Sequence, residues 1–222
     1  MILDDTQIKA VELYITKRKI DFVDIKFELL DHMVCDIEAT MEAKNIGFND
    51  AFNITKRKWS PYFVESQSIW MGLAYVKPKI VIDKCGAIMK KTVLYSLAIA
   101  CVGAVLMWFL LKTSNADINL MFYFLYKGRW VLFAVSLIIL VYHSWNILRT
   151  KAKTVFGYCY MRQFSLLPLF TLLINPTASF STSFWGRFLP LAFLLMFITY
   201  YYFAFKIYSE HVKYVKRYFQ LT

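Results

Sequence analysis

"TVLYSLAIACVGAVLMWFLL", residues 92–111, decides the fold. The stretch carries no charge. At a helical rise of about 1.5 Å per residue it reaches about 30 Å, the hydrocarbon thickness of a bilayer. A helix apolar on every side finds no stable place in water, so the segment predicts a membrane span.

Two more runs read the same way, residues 130–148 and 188–207, each free of Asp and Glu and rich in Leu, Phe, Tyr and Ile. Residues 155–174 are apolar except for Arg162 and Gln163. They form a weaker fourth candidate, third in chain order, which needs packing or snorkelling to carry the arginine. Pro168 is expected to kink it, and Pro190 suits the first turn of the last span. With 59% hydrophobic residues and a mean hydropathy of +0.46, the 222-residue chain fits this reading better than a soluble one. The expectation is an all-α protein: a small cytoplasmic helical domain (1–60), an interfacial connector (61–91) and a four-helix transmembrane bundle (92–208). A basic amphipathic tail (209–222) is expected to continue the last span as a helix along an anionic surface.

Charge sets the expected orientation. Up to Lys91 the chain holds 14 Lys or Arg against 13 Asp or Glu, and beyond it 12 against 2, so the +11 net charge comes from the membrane half. Lys84, Lys90 and Lys91 precede the first span, Arg149, Lys151 and Lys153 follow the second, and Lys206, Lys213, Lys216 and Arg217 stand at and beyond the end of the last. The positive-inside rule puts all three clusters on the cytoplasmic side, with both termini. Loop 175–183, beside Arg187, falls outside. Lys112, Lys127 and Arg129 fit less well, since they would be external. Trp108, Trp130 and Trp185 are expected in the outer aromatic belt, and Trp145, Tyr158 and Tyr208 in the inner one. The opening "MILDDTQIKA" has two acids where a signal peptide would be basic, which also keeps the N-terminal part inside. Because the excess charge borders spans, nucleic acid is set aside as a partner, leaving the lipid bilayer and a protein partner or a second copy of the chain. The expected location is the bacterial inner membrane.

The N-terminal part reads as three helices. Residues 5–19 place Ile8, Val11 and Ile15 on one face. Residues 24–44 place Ile25, Leu29, Met33, Ile37 and Met41 at steps of four, with Asp21 or Asp24 as N-cap. Gly47 is expected to supply the left-handed stop, and Asn49 to cap a third helix through Ala51, Phe52, Ile54 and Trp59. The connector carries Tyr62, Phe63, Ile69, Trp70, Met71 and Leu73, aromatic and aliphatic surface that suits a membrane interface.

Candidate chemistry is sparse. In "FELLDHMVCDIEA" (27–39), Glu28, His32 and Asp36 share a helix face with Cys35 one turn away, flanked by Asp31 and Glu38. One helix face seldom supplies the three or four ligands a metal needs, so the reading of the five polar residues is a solvent or interaction face. In the membrane half His143, Asn146, Arg162 and Gln163 form either an intramembrane polar cluster for an anionic headgroup or small ligand, or an interfacial set that snorkels. Cys35, Cys85, Cys101 and Cys159 have no ligand spacing and read as packing residues. There is no GxSxG, HExxH or Gly-rich phosphate loop, hence no catalytic, cofactor or metal residue is expected.

"ELLDHMVCDIEATMEAKNIGFNDAF", residues 28–52, resembles the HAAS signalling-domain pattern: an acid-rich helix, a Gly-containing turn and a short helix. Such domains sit at cytoplasmic N-termini of bacterial multi-span proteins. The resemblance implies Leu29, Leu30, Ile37 and Phe52 as core and carries over no catalytic residue. The expected function is therefore regulation or signalling through protein–protein contact. An accessory or assembly subunit of a membrane complex and a small-molecule or lipid-handling protein are the other two readings.

Overall fold

The structure, a computed structural model, describes residues 2–18, 20–71, 76–113, 118–173 and 184–221. Loop 175–183, Leu73, and the side chains of Trp70, Trp108, Lys112, Trp185, Arg187 and Pro190 lie outside the described residues. The chain forms two compact units. One is Met1–Ala87 with Thr150–Tyr158 and His211–Thr222; the other is Ile88–Arg149 with Cys159–Glu210.

In the first unit α1 (Asp5–Thr16) begins with a reciprocal cap, Asp4 accepting the Gln7 N–H while the Gln7 side chain accepts that of Asp4. Helix α2 (Val23–Lys44) buries Ile25, Leu29, Met33, Ile37 and Met41, the full step-of-four series. Each such side chain contributes about 1.5–3 kcal/mol on leaving water. Helix α3 (Phe48–Trp59) buries Ala51, Phe52 and Thr55. Of the core positions implied by the resemblance, Leu29, Ile37 and Phe52 are buried and Leu30 is half-buried.

Three expected caps are corrected. Asn45, not Gly47, takes the left-handed conformation that ends α2 (φ 50°, ψ 47°), a region Asn tolerates because its short amide bonds locally. Gly47 has φ −73° and is itself the N-cap of α3, which leaves Asn49 inside that helix. Phe22, not Asp21 or Asp24, precedes α2 and caps nothing with its side chain.

After a short 3-10 turn (Ser60–Phe63), β1 (Glu65–Ser66) and β2 (Lys77–Pro78) pair antiparallel, and the Lys79 N–H bonds the Val64 carbonyl. Helix α4 (Lys79–Thr113) starts at once. It begins thirteen residues before the uncharged run at 92, because Val81, Cys85, Met89, Thr92, Ser96, Ala100 and Ala104 form one buried stripe through the charged first turns.

In the second unit α5 (Ile118–Arg149) exposes one broad apolar face along its length, with Val131, Ile138 and Trp145 each about two-thirds exposed, and buries Ser136 and His143 on the other. A water-facing helix does not do this, and lipid is the solvent that such a surface fits. Among the described residues three helices are long and apolar enough to cross a membrane: Lys79–Met107, Lys127–Arg149 and Leu191–Gln220. The last lies in α8 (Phe184–Leu221), which continues as helix through the expected tail. This is an all-α chain with the helices of a multi-pass membrane protein.

The expected span 155–174 is not one helix. α6 (Val155–Phe164) stops, Ser165 and Leu166 turn, and α7 (Leu167–Phe170) runs into a 3-10 turn at Thr171–Leu173. Pro168 cannot donate to the Phe164 carbonyl and its ring would strike it, so the expected kink is a break. α7 and the turn pack against α5.

Candidate functional site

The first N–H groups of a helix have no partner inside it and must find one elsewhere. At α6 the partners come from the far end of the sequence. The Asp24 carboxylate, fully buried in the first turn of α2, accepts the Val155 N–H through both oxygens at 3.0 Å. It also takes the Ile25 N–H at 3.1 Å. The Thr154 hydroxyl accepts the Gly157 N–H at 2.9 Å, an N-cap bond to the third helical residue. That hydroxyl lies 2.7 Å from His211 Nδ1 on α8, and both side chains are 2% exposed. The Val23 N–H donates to the Lys153 carbonyl at 2.9 Å.

A carboxylate at a helix N-terminus is favoured by the helix dipole. Burial nevertheless pushes the Asp24 carboxyl above the ordinary aspartate range, against the Val155 N–H, the Lys84 charge and the Ile25 N–H, which favour ionisation. Around these bonds Val23, Ala152 and Val215 form an apolar cluster with Phe27 and Tyr218 packed on it. The junction thus holds together the start of α2, the start of α6 and the end of α8.

The five residues expected on an interaction face are mostly engaged within the same unit. Asp36 accepts Lys58 Nζ at 2.8 Å and Trp59 Nε1 at 2.8 Å. Its partial burial is outweighed by those two donors and by the nearby charges, which hold its carboxyl below the usual range. His32 stacks beside Trp59, Glu28 pairs with Lys84, and Glu38 accepts the Leu3 N–H. Asp31 is exposed. Beside them a groove of about 410 Å³ is lined by Leu29, His32, Trp59, Tyr62 and Ile80. Among the described residues no three His, Cys, Asp or Glu side chains group closely enough to hold a metal ion.

In the second unit His143 and Asn146 do come together, but around tyrosines. His143 Nδ1 is 2.9 Å from the Tyr160 hydroxyl, and its ring stacks on Tyr208 at 3.7 Å between centroids. Asn146 donates to the Tyr208 hydroxyl at 2.9 Å. Tyr208, expected in the inner belt, is therefore a packing partner. Gln163 donates instead to the Tyr200 hydroxyl, and Arg162 is exposed. The cavity beside His143 measures about 20 Å³, room for one water at most.

Sequence reasoning missed Asp24, Thr154 and His211 as a set. Thr154 was readable, since a Thr just before an apolar helical run is an N-cap signal. Asp24 carries no local sign that its partner lies 131 residues on. No protein-family model, curated protein or solved structure matches this chain.

Proposed function

We propose that the chain is a multi-pass membrane regulator whose helical head receives a protein partner and passes that event to the membrane helices. The observation that carries the reading is the bond from the Val155 N–H to Asp24. A head serving only as cargo on an anchor would need no buried carboxylate seated on the first turn of another helix. The junction ties α2 to the start of α6 by hydrogen bonds, and Thr154–His211 ties that start to α8, so a displacement of α2 costs its bonds to Val155 and Lys153 and loosens its apolar packing on Val215.

Topology supports the same reading. Residues 150–158 and 211–222 belong to one compact unit with the head, which supports placing all of them on one side of a bilayer. α4 leaves that side and α5 returns to it; α8 also returns to it, which requires an outward crossing between Tyr158 and Phe184. We assign that crossing to the interrupted segment beginning with α6, giving four crossings, the third built around a break. Broken helices at membrane depth are tolerated where other protein segments cover them, as α5 does for α7. Lys84, Lys151, Lys153, Lys213 and Arg217 then share the head's side, which the positive-inside rule makes cytoplasmic, with both termini there and a bacterial inner membrane as the setting.

The docking surface fitting this role is the groove at His32, Trp59 and Tyr62, whose aromatic lining and mixed-charge rim suit an anchoring apolar side chain of a protein partner. The HAAS-like pattern of residues 28–52 points to the same role. The ligand-handling reading is weaker because the His143 ring bonds Tyr160, stacks on Tyr208 and faces almost no void. The test places a photo-crosslinker at Tyr62 of the full chain in native membranes. A soluble protein should be trapped, Trp59→Ala should abolish trapping, and binding should alter amide exchange at Val155–Tyr158. Trapping only integral membrane proteins at fixed stoichiometry would instead establish the accessory-subunit reading.

A further inference from the structure

A second cavity in the first unit, of about 500 Å³, lies on the other side of α2 from the aromatic groove. Its apolar surface comes from Ile15 of α1, Phe27 of α2 and Tyr218 of α8, and its cations are Lys26, Lys151 and Lys153. Two acids also line it, Glu12 and Asp21. The Asp21 carboxylate is matched by Lys77 at 2.9 Å, whose hydrogen bond holds it below the usual carboxylate range. Arg217 lies over the Phe27 ring at 5.2 Å and adds a further positive charge beside the apolar surface. The balance is positive, with an aromatic and aliphatic floor.

Position identifies the occupant. Lys151 and Lys153 follow Arg149, the last residue of one apolar span, and Tyr218 stands beyond the apolar stretch of α8, in the part of that helix that belongs to the first unit. On the membrane reading above, the cavity stands where hydrocarbon gives way to headgroups. A molecule that is anionic at one end and apolar at the other is already there at high local concentration. We propose that this cavity binds the phosphate headgroup of an anionic phospholipid, with the lysines on the phosphate and Phe27 and Tyr218 against the glycerol and upper acyl chain. Basic pockets at the cytoplasmic ends of membrane helices suit such headgroups by charge and by shape.

The test uses the full chain in nanodiscs of phosphatidylcholine alone or mixed with phosphatidylglycerol, with native mass spectrometry reading retained lipid. Wild type should retain phosphatidylglycerol selectively, and Lys26→Gln/Lys151→Gln/Lys153→Gln should weaken retention by roughly a hundredfold, from three near-surface lysines. Lys9→Gln/Lys44→Gln/Arg57→Gln removes the same charge from exposed positions elsewhere in the head and should leave retention unchanged. Equal loss in both triples would reduce the effect to diffuse surface charge and overturn the site. Stabilisation by inorganic phosphate in pure phosphatidylcholine, equal to that by phosphatidylglycerol, would overturn the lipid assignment. Lys153 bonds Val23 through its backbone carbonyl, so Lys153→Gln alone keeps that bond and serves as a second variant should the triple fail to fold. Photoactivatable phosphatidylglycerol on wild type should label peptides within 21–30 or 150–158; labelling confined to other peptides counts against the proposal. These readouts are independent of any protein partner, so the regulator reading can fail while this one stands.

Discussion

Asp24 accepts the backbone N–H of Val155 with both carboxylate oxygens, from a position with no solvent exposure and 131 residues away in sequence. The relationship is unusual in its chemistry, because a charged group capping a helix normally stands in water, where its ionised form costs little. Here the carboxylate is desolvated, and the two N–H groups it takes are what make its burial tolerable.

Removing that acceptor should be costly. Asp24→Ala leaves the Val155 N–H buried without a partner and is expected to lower stability by about 1–3 kcal/mol. Asp24→Asn keeps an oxygen for the N–H and removes the buried charge. Because burial raises the folded-state pKa, the native protein holds a proton that the unfolded chain has released. Stability is therefore full below the ordinary aspartate range and falls as pH rises through the raised value. Unfolding of detergent-solubilised protein across that window should show the stability difference between wild type and Asp24→Asn falling as pH rises, the contributions of all other groups cancelling in the difference. A difference that stays constant with pH would assign the dependence to other groups.

Thr154 and His211 make a second, separable test. Thr154→Ala removes the N-cap acceptor of Gly157 and the partner of His211, with an expected loss of about 1 kcal/mol, whereas Thr154→Ser keeps the hydroxyl and most of the stability. Amide exchange should quicken at Val155–Tyr158 in the alanine variant. A double-mutant cycle with His211→Ala should show coupling of at least about 0.5 kcal/mol, as for other directly bonded pairs. Strict additivity would mean the 2.7 Å contact carries no stabilisation.

What the sequence made legible was whatever one helix settles alone. The step-of-four series in α2 came out residue for residue, since a single amphipathic face determines which side is buried. The uncharged runs found the apolar spans but not the start of α4: lack of charge marks where lipid begins, and α4's buried stripe runs on through Cys85 and Val81. Asn45 outcompeted Gly47 for the left-handed stop because both residues can adopt it and only the register of α3 decides between them. The junction was illegible for a different reason. Asp24, Thr154 and His211 lie on three helices, and the local pattern around each is fully explained without the others. His143 was singled out as a polar residue of the second apolar run, but its partners Tyr160 and Tyr208 were hidden by the abundance of tyrosine in this chain.

The break between α6 and α7 is assigned to one residue. Pro168→Ala restores a donor for the Phe164 carbonyl and removes the ring that opposes it, so the helix should close across Ser165 and Leu166. Slower amide exchange over residues 165–169 is the expected result. Any gain in stability should be small, because Leu167 and Pro168 are buried in the present arrangement and must repack. If exchange at those amides is unchanged, the turn is imposed by packing against α5 and not by the proline.

The head should not stand alone when cut at residue 60. Its apolar cluster joins Val23 to Ala152 and Val215, Asp24 caps α6, and Glu28 pairs with Lys84, all partners that a 1–60 fragment lacks. Such a fragment keeps α1, α2 and α3 but exposes Val23, Phe27 and a buried carboxylate, and about 60 residues already make a marginal core. It is expected to lack a cooperative thermal transition. In the full chain, Val215→Ala removes two methyl groups from the cluster and should cost about 1.5 kcal/mol, at about 0.8 kcal/mol for each group. Amide exchange should read that loss in the first turns of α2, some 190 residues away in sequence. A 1–60 fragment that melts sharply, or a Val215→Ala protein whose α2 amides exchange as in wild type, would show that the head's stability is local to its first three helices. The junction at Asp24 could then not couple it to α6 and α8.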